Sequence, residues 1–179
     1  TFEYSGDDHY SPNSTYRIVN VIKANTTVNG TIENITYNNN ATVNVNVTGV
    51  NGTDLSGDVT VTVQGIAGSW NGTVNHDGIG SVNVPGLAAG NYTVEIKYLG
   101  NGNYTGSNAT VNFTVFKHNS TTSATIENIT YGDNATVNVN VTGFNGTDLS
   151  GNVTVTVQGI VGSWNGTVNH DGIGSVNVP

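Results

Sequence analysis

Cysteine and methionine are both absent from this 179-residue chain. Without cysteine there is no disulfide framework and no thiolate metal site. Without methionine there is no initiator residue, and the chain reads as a mature or excised segment of a longer polypeptide. Charge is scarce. Charged residues make up 9% of the chain, with four Lys and Arg against twelve Asp and Glu. The four cations, Arg17, Lys23, Lys97 and Lys117, are scattered singly. Neutralising nucleic-acid phosphates or an anionic membrane surface needs clustered cations, so neither is an expected partner. No apolar run approaches the roughly 20 residues of a membrane-spanning helix. No signal peptide, basic tail or lipidation motif is visible.

What the chain has instead is uncharged polarity: 29 Asn, 26 Thr and 24 Gly. Apolar residues alternate with Asn and Thr at period two, and helical periodicity is missing. Val43, Val45 and Val47 share one face of a strand, with Asn44, Asn46 and Thr48 on the other. Val59, Val61 and Val63, then Val111, Phe113 and Val115, repeat the pattern. Valine inside and Asn or Thr outside is the pattern of two antiparallel sheets packed face to face.

One segment occurs twice. Thr31 to Pro85 recurs as Thr125 to Pro179, an offset of 125 − 31 = 94 residues, with 50 of 55 positions identical. The differences are Asn38/Gly132, Asn39/Asp133, Val50/Phe144, Asp58/Asn152 and Ala67/Val161. The same offset pairs Tyr4 with Tyr98, Gly6 with Gly100, Tyr10 with Tyr104 and Lys23 with Lys117. A period of this length suits an immunoglobulin-like sandwich and exceeds the usual solenoid unit. The spacing predicts the last strands of one repeat at 1–23, a complete repeat at 24–117 and the N-terminal part of a further repeat at 118–179. It reads as a window on a longer array, the alternative being a subunit whose ends complete each other between neighbours, as in donor-strand exchange. Near-identity of the two copies reflects duplication, since it extends to surface and turn alike.

Seven antiparallel strands are expected in the complete repeat, at about 32–37, 42–48, 59–64, 67–75, 80–84, 92–99 and 108–116. Asn38-Asn39-Asn40, Asn51-Gly52, Ser56-Gly57, Asp77-Gly78 and Gly100-Asn101-Gly102 mark the turns between them.

The segment Gly90-Asn91-Tyr92-Thr93-Val94, with Tyr98-Leu99-Gly100-Asn101-Gly102-Asn103-Tyr104 and the earlier Tyr4-Ser5-Gly6-Asp7-Asp8-His9-Tyr10, resembles the signature of bacterial-type Ig-like repeats in large prokaryotic surface proteins. The Asn/Thr-rich form, with Ile129–Gly143, is most similar to the adhesin-like proteins of methanogenic archaea. The resemblance covers essentially the whole chain. It implies an all-β fold of tandem Ig-like β-sandwich domains, about seven strands per 94-residue repeat. It also implies an extracellular, cell-surface location and a role as stalk or spacer. In such sandwiches a tyrosine hydroxyl bonds backbone at the entry to the sixth strand, and Tyr92 would take that role.

Asn-x-Ser/Thr occurs at 19 positions, more than an Asn/Thr-rich composition produces by chance. Asn13, Asn40, Asn46, Asn51, Asn71, Asn103, Asn108, Asn112, Asn134, Asn140, Asn145 and Asn165 are the candidate glycosylation sites. N-linked glycans there would coat a surface with little charge. The remaining seven are Asn25, Asn29, Asn34, Asn91, Asn119, Asn128 and Asn152.

No catalytic constellation stands out, and the chain is not expected to be an enzyme. His76 and His170, at one repeat position before an Asp-Gly turn, read as solvated turn residues. Calcium is the minor candidate, through Asp54 with Asp58 and Asp7 with Asp8. Asp58 becomes Asn152 in the next copy, however, and turn chemistry explains these residues better. No other cofactor is expected. A Lys–Asn isopeptide staple through Lys23 or Lys117, with Glu33 or Glu127 as the catalytic carboxylate, is compatible with composition alone. Trp70 and Trp164 share a repeat position, with core packing as the first reading and sugar stacking as the second.

The expectation is thus the structural shaft of a glycosylated surface adhesin or filament, its partners being neighbouring repeats or subunits and a ligand on a host or partner-cell surface. A carbohydrate- or protein-binding adhesin module, and a spacer of a surface hydrolase with its catalytic domain elsewhere, are the alternatives.

Overall fold

The structure is a computed structural model that describes residues 1–50 and 53–179. The chain is all-β and divides into two compact units, Thr1–Val115 and Phe116–Pro179. The first unit opens with a hairpin of its own, β1 (Phe2–Tyr4) paired to β2 (Asn13–Thr15). Eight further strands follow: β3 (Thr27–Ile32), β4 (Ile35–Thr36), β5 (Ala41–Thr48), β6 (Gly57–Val63), β7 (Trp70–Val74), β8 (Ile79–Val84), β9 (Gly90–Tyr98) and β10 (Ser107–Phe116), the last ending one residue beyond the unit. Their hydrogen-bonded order is β3-β5-β8-β7-β6-β9-β10-β4. With β7 and β8 joined by a single register pair, Val74↔Gly80, but β6 and β7 by five, the ladder folds between β8 and β7 into two layers, β3-β5-β8 and β7-β6-β9-β10-β4. This is the strand order of an immunoglobulin-like sandwich.

Side-chain alternation builds the core. Along β5 burial strictly alternates, with Ala41, Val43, Val45 and Val47 buried and the Thr and Asn between them exposed. Val59, Val61 and Val63 of β6 and Val94, Ile96 and Tyr98 of β9 face them. No charged or polar residue is buried among the described residues. Close approach explains one glycine: a Cβ on Gly30 of β3 would run into the Ile96 side chain.

Two expected strands are corrected. The first, at 32–37, is two strands. β3 begins earlier, at Thr27, and pairs with β5, whereas β4 pairs with β10 at the opposite edge. Glu33 and Asn34 carry the chain across, and the Asn34 Oδ1 accepts the Thr114 N–H of β10 at 2.7 Å. The fourth, at 67–75, starts only at Trp70. Gly65 and Gly68 sit at φ +81° and +101°, and Ile66 N–H closes a turn on Val63 O, which ends the extended run.

The second unit contains β11 (Thr121–Ile126), β12 (Ala135–Thr142), β13 (Gly151–Val155), β14 (Trp164–Val168) and β15 (Ile173–Val178). They form one sheet in the order β11-β12-β15-β14-β13. Shifted by 94 residues this is β3-β5-β8-β7-β6, and Ala135↔Val178 repeats Ala41↔Val84. The Asn38/Gly132 difference has a backbone cause. Both residues occupy left-handed φ, 73° and 94°, in a turn closed from Asn39 N–H to Thr36 O or from Asp133 N–H to Thr130 O.

Candidate functional site

The outward strand faces and the turns carry the acceptor asparagines. Eighteen of the nineteen Asn-x-Ser/Thr asparagines lie among the described residues, and all eighteen are exposed. Asn51 lies outside the described residues. Asn46, Asn108, Asn112, Asn140 and Asn165 occupy outward strand positions. Asn40, Asn103, Asn134 and Asn145 lie between strands, and Asn13 stands in β2. Period-two alternation is the cause, because the apolar set on one face fixes asparagine and threonine on the other.

Asparagine amides also bond across strands, at the acceptors Asn91, Asn112 and Asn165 and at the non-acceptors Asn83 and Asn177. Thr42 Oγ1 donates to Asn83 Oδ1 at 2.9 Å, Thr93 to Asn112 at 2.8 Å and Thr114 to Asn91 at 2.8 Å. In the second unit Thr136 donates to Asn177 at 3.0 Å and Thr154 to Asn165 at 2.9 Å. Each pair is directly opposed in the sheet register. The carbonyl oxygen is the acceptor every time, so these bonds make no use of the amide nitrogen to which a glycan attaches. Sequence reasoning did not find this ladder, although adjacent Thr/Asn alternation on paired strands is its signal.

Tyr92 caps a corner: its hydroxyl donates to Ala88 O at 2.9 Å, and its ring packs tilted on Phe113 with centroids 5.7 Å apart. Two further tyrosines bond backbone from inside the sandwich. Tyr98 donates to Leu55 O and Tyr104 to Val50 O, both at 2.9 Å. Burial, then the Asp54 carboxylate, then the Tyr104 hydroxyl push the Tyr98 hydroxyl above its ordinary pKa. A cleft of about 410 Å³ beside the Tyr92 corner is lined by Asn34, Asn91, Thr93, Asn112 and Thr114, polar groups with no convergent charge.

The turn carboxylates hold the backbone. Asp54 Oδ1 accepts Ser56 N–H at 2.8 Å and lies 3.4 Å from His76 Nδ1. Asp148 repeats this with Ser150 and His170, at 2.8 and 3.3 Å. Both carboxyls fall below the ordinary range. The Ser56 hydroxyl and N–H are the largest causes for Asp54, the Ser150 N–H and hydroxyl for Asp148, and the histidines add a smaller part. Asp7 Oδ1 accepts the His9 and Tyr10 N–H groups, both at 2.8 Å. No group of three or more metal-ligating side chains converges among the described residues.

The isopeptide trio is not assembled. Lys23, Lys117, Glu33 and Glu127 are all exposed, and Lys23 Nζ donates to Asn101 O. Trp70 is half-buried against the core of the first unit, and Trp164 against that of the second. No helix among the described residues is long and apolar enough to cross a membrane. No protein-family model and no curated protein matches the chain.

Proposed function

We propose that this chain belongs to the shaft of an extracellular, glycosylated cell-surface adhesin or filament made of Ig-like sandwiches in series. One observation carries the reading: every described acceptor asparagine is exposed, while valine fills the interior. A surface with 9% charged residues has few ions to keep it hydrated or to guard its strand edges, and sugars on asparagine supply both functions. Small β-sandwiches joined end to end give reach without catalysis, and the neighbours in such a shaft are further repeats or subunits of the same protein.

The test is glycopeptide mapping of the protein from a host that performs asparagine-linked glycosylation. Sugar is expected at several of Asn40, Asn46, Asn71, Asn103, Asn108 and Asn112, each occupied asparagine reading as aspartate after amidase release of its glycan. A fully unmodified chain from such a host overturns the glycosylated-shaft reading.

A further inference from the structure

The chain enters the complete repeat through residues 23–26, which precede β3 and belong to no strand, yet carry a dense set of bonds. Ala24 forms a parallel bridge with Tyr104, in the turn between β9 and β10. Ala24 N–H donates to Asn103 O and Thr105 N–H to Ala24 O, both at 2.9 Å. Side chains extend the contact to either side. Lys23 Nζ donates to Asn101 O at 2.6 Å. Thr26 Oγ1 donates its proton to Thr105 O at 2.9 Å, so the Ser107 hydroxyl, also at 2.9 Å, is the donor to Thr26. Thr105 Oγ1 lies 3.3 Å from both Ala24 O and Asn25 Oδ1. Four consecutive residues are thus tied to a stretch 78 to 81 residues further along the chain.

The receiving stretch, 101–107, is itself anchored in the sandwich. Tyr104 is 2% exposed, and its hydroxyl donates to Val50 O at 2.9 Å. Asn101 Nδ2 donates to the carbonyls of Asp54 and Ser56, both at 3.0 Å. Its Oδ1 accepts the N–H groups of Asn103 and Tyr104 at 2.9 and 3.0 Å. Ser107 then opens β10, whose register with β9 runs unbroken from Ser107↔Tyr98 to Val115↔Gly90.

The parallel direction decides what tension does to these bonds. A pull arriving from before residue 23 draws 23–26 toward its N-terminal end. A pull leaving after Phe116 draws β10, and 104–107 with it, toward its C-terminal end. The two pulls oppose each other along one axis, so the bonds are sheared and carry the load together. Two parallel segments pulled at the same end would instead peel apart one bond at a time.

We propose that residues 23–26 and 101–107 form a force-bearing latch that keeps the sandwich closed while the chain is under tension. The shaft supplies the tension, so this role rests on the proposed function, whereas the latch is measured on the chain alone and fails or stands independently of it. Resistance to pulling is set by the rate of unfolding, which a few bonds loaded together control more strongly than they control equilibrium stability. The entry to the next copy, Lys117-His118-Asn119-Ser120, keeps the ammonium, the amide and a hydroxyl at the corresponding places. Ala24 becomes His118 there, and the bridge uses only the backbone groups of that position, which any residue but proline supplies.

The native chain has no cysteine, so single molecules can be held at chosen points. Ile22 and Lys117 are exposed, and a Cβ on Gly102 would meet nothing within 4 Å. Full-length Ile22→Cys/Lys117→Cys chains, pulled in an optical trap through DNA handles, load the latch in shear. Ile22→Cys/Gly102→Cys chains load the same bonds in peel. At equal pulling speed the first break is expected at several-fold higher force in shear. Thr26→Val keeps the shape of the side chain and removes two latch bonds, which raises the unfolding rate at constant force about tenfold in the shear geometry. Thr42→Val removes the hydroxyl bond to Asn83, outside the latch, and leaves that rate unchanged. Equal first-break forces along the two axes overturn the proposal, as does a Thr26→Val chain that unfolds under load no faster than Thr42→Val. The axis comparison alters exposed positions only and decides the matter even where the valine variant fails to fold.

Discussion

At the scale of single residues, two tyrosine hydroxyls do different amounts of structural work for the same bond. Tyr98 and Tyr92 each donate to a backbone carbonyl at 2.9 Å, but Tyr98 is buried and Tyr92 is half-buried. Removing the Tyr98 hydroxyl leaves the Leu55 carbonyl without its partner away from water, whereas water can replace the Tyr92 hydroxyl. Tyr98→Phe is therefore expected to cost about 1–3 kcal/mol of stability and Tyr92→Phe about 0.5–1.5 kcal/mol. Urea denaturation of the two variants measures both, and the order is the informative part. Asn38 and Gly132 make the complementary comparison in the backbone. Left-handed φ is less costly for glycine than for asparagine, so Asn38→Gly is expected to stabilise the first unit by about 0.5 kcal/mol. Gly132→Asn should cost the second unit a similar amount, read by the same denaturation curves.

At the scale of elements, the alternating strands were legible because along runs such as Thr42–Thr48 and Val59–Val63 one face is valine and the other Asn or Thr. β5 and β12 have the same alternating sequence, and seven of their eight burial assignments agree. Val141, the exception, is half-buried where Val47 is buried, since the described strands of the second unit include no counterpart of β9 and β10. The division of the first strand into β3 and β4 was not legible. Thr31-Ile32-Glu33-Asn34-Ile35-Thr36 reads as one extended run, and only the partner strands β5 and β10, on opposite edges, separate it. The cross-strand Thr-to-Asn bonds were missed for the same reason: they depend on register, which alternation alone does not supply. Outward placement of the acceptor asparagines was readable at Asn46 and Asn112, where a valine or phenylalanine neighbour fixes the face. The roles of Tyr98 and Tyr104 were not, because their acceptors are 43 and 54 residues away in the chain.

At the scale of the whole molecule, two units of like sequence differ in how much core they close. The first gathers nineteen buried residues into one cluster, and the second gathers five. A smaller buried cluster contributes less hydrophobic stabilisation, so the second unit is expected to unfold first. Each unit contains one tryptophan, Trp70 or Trp164, which makes the order measurable. In dilute solution the Trp164 fluorescence of a Trp70→Phe chain should change at lower urea than the Trp70 fluorescence of a Trp164→Phe chain. Coincident transitions would refute that order. The scarcity of ionic contacts bears on salt dependence. The two Asp–His pairs are exposed, and apart from a few exposed charged side chains bonded to backbone, Asp7, Asp54, Asp148 and Lys23 among them, the described architecture rests on apolar packing and neutral hydrogen bonds. Dissolved ions screen charges but leave valine burial and amide-to-hydroxyl bonds nearly untouched. The urea midpoint of the first unit is therefore expected to change little between low and high salt.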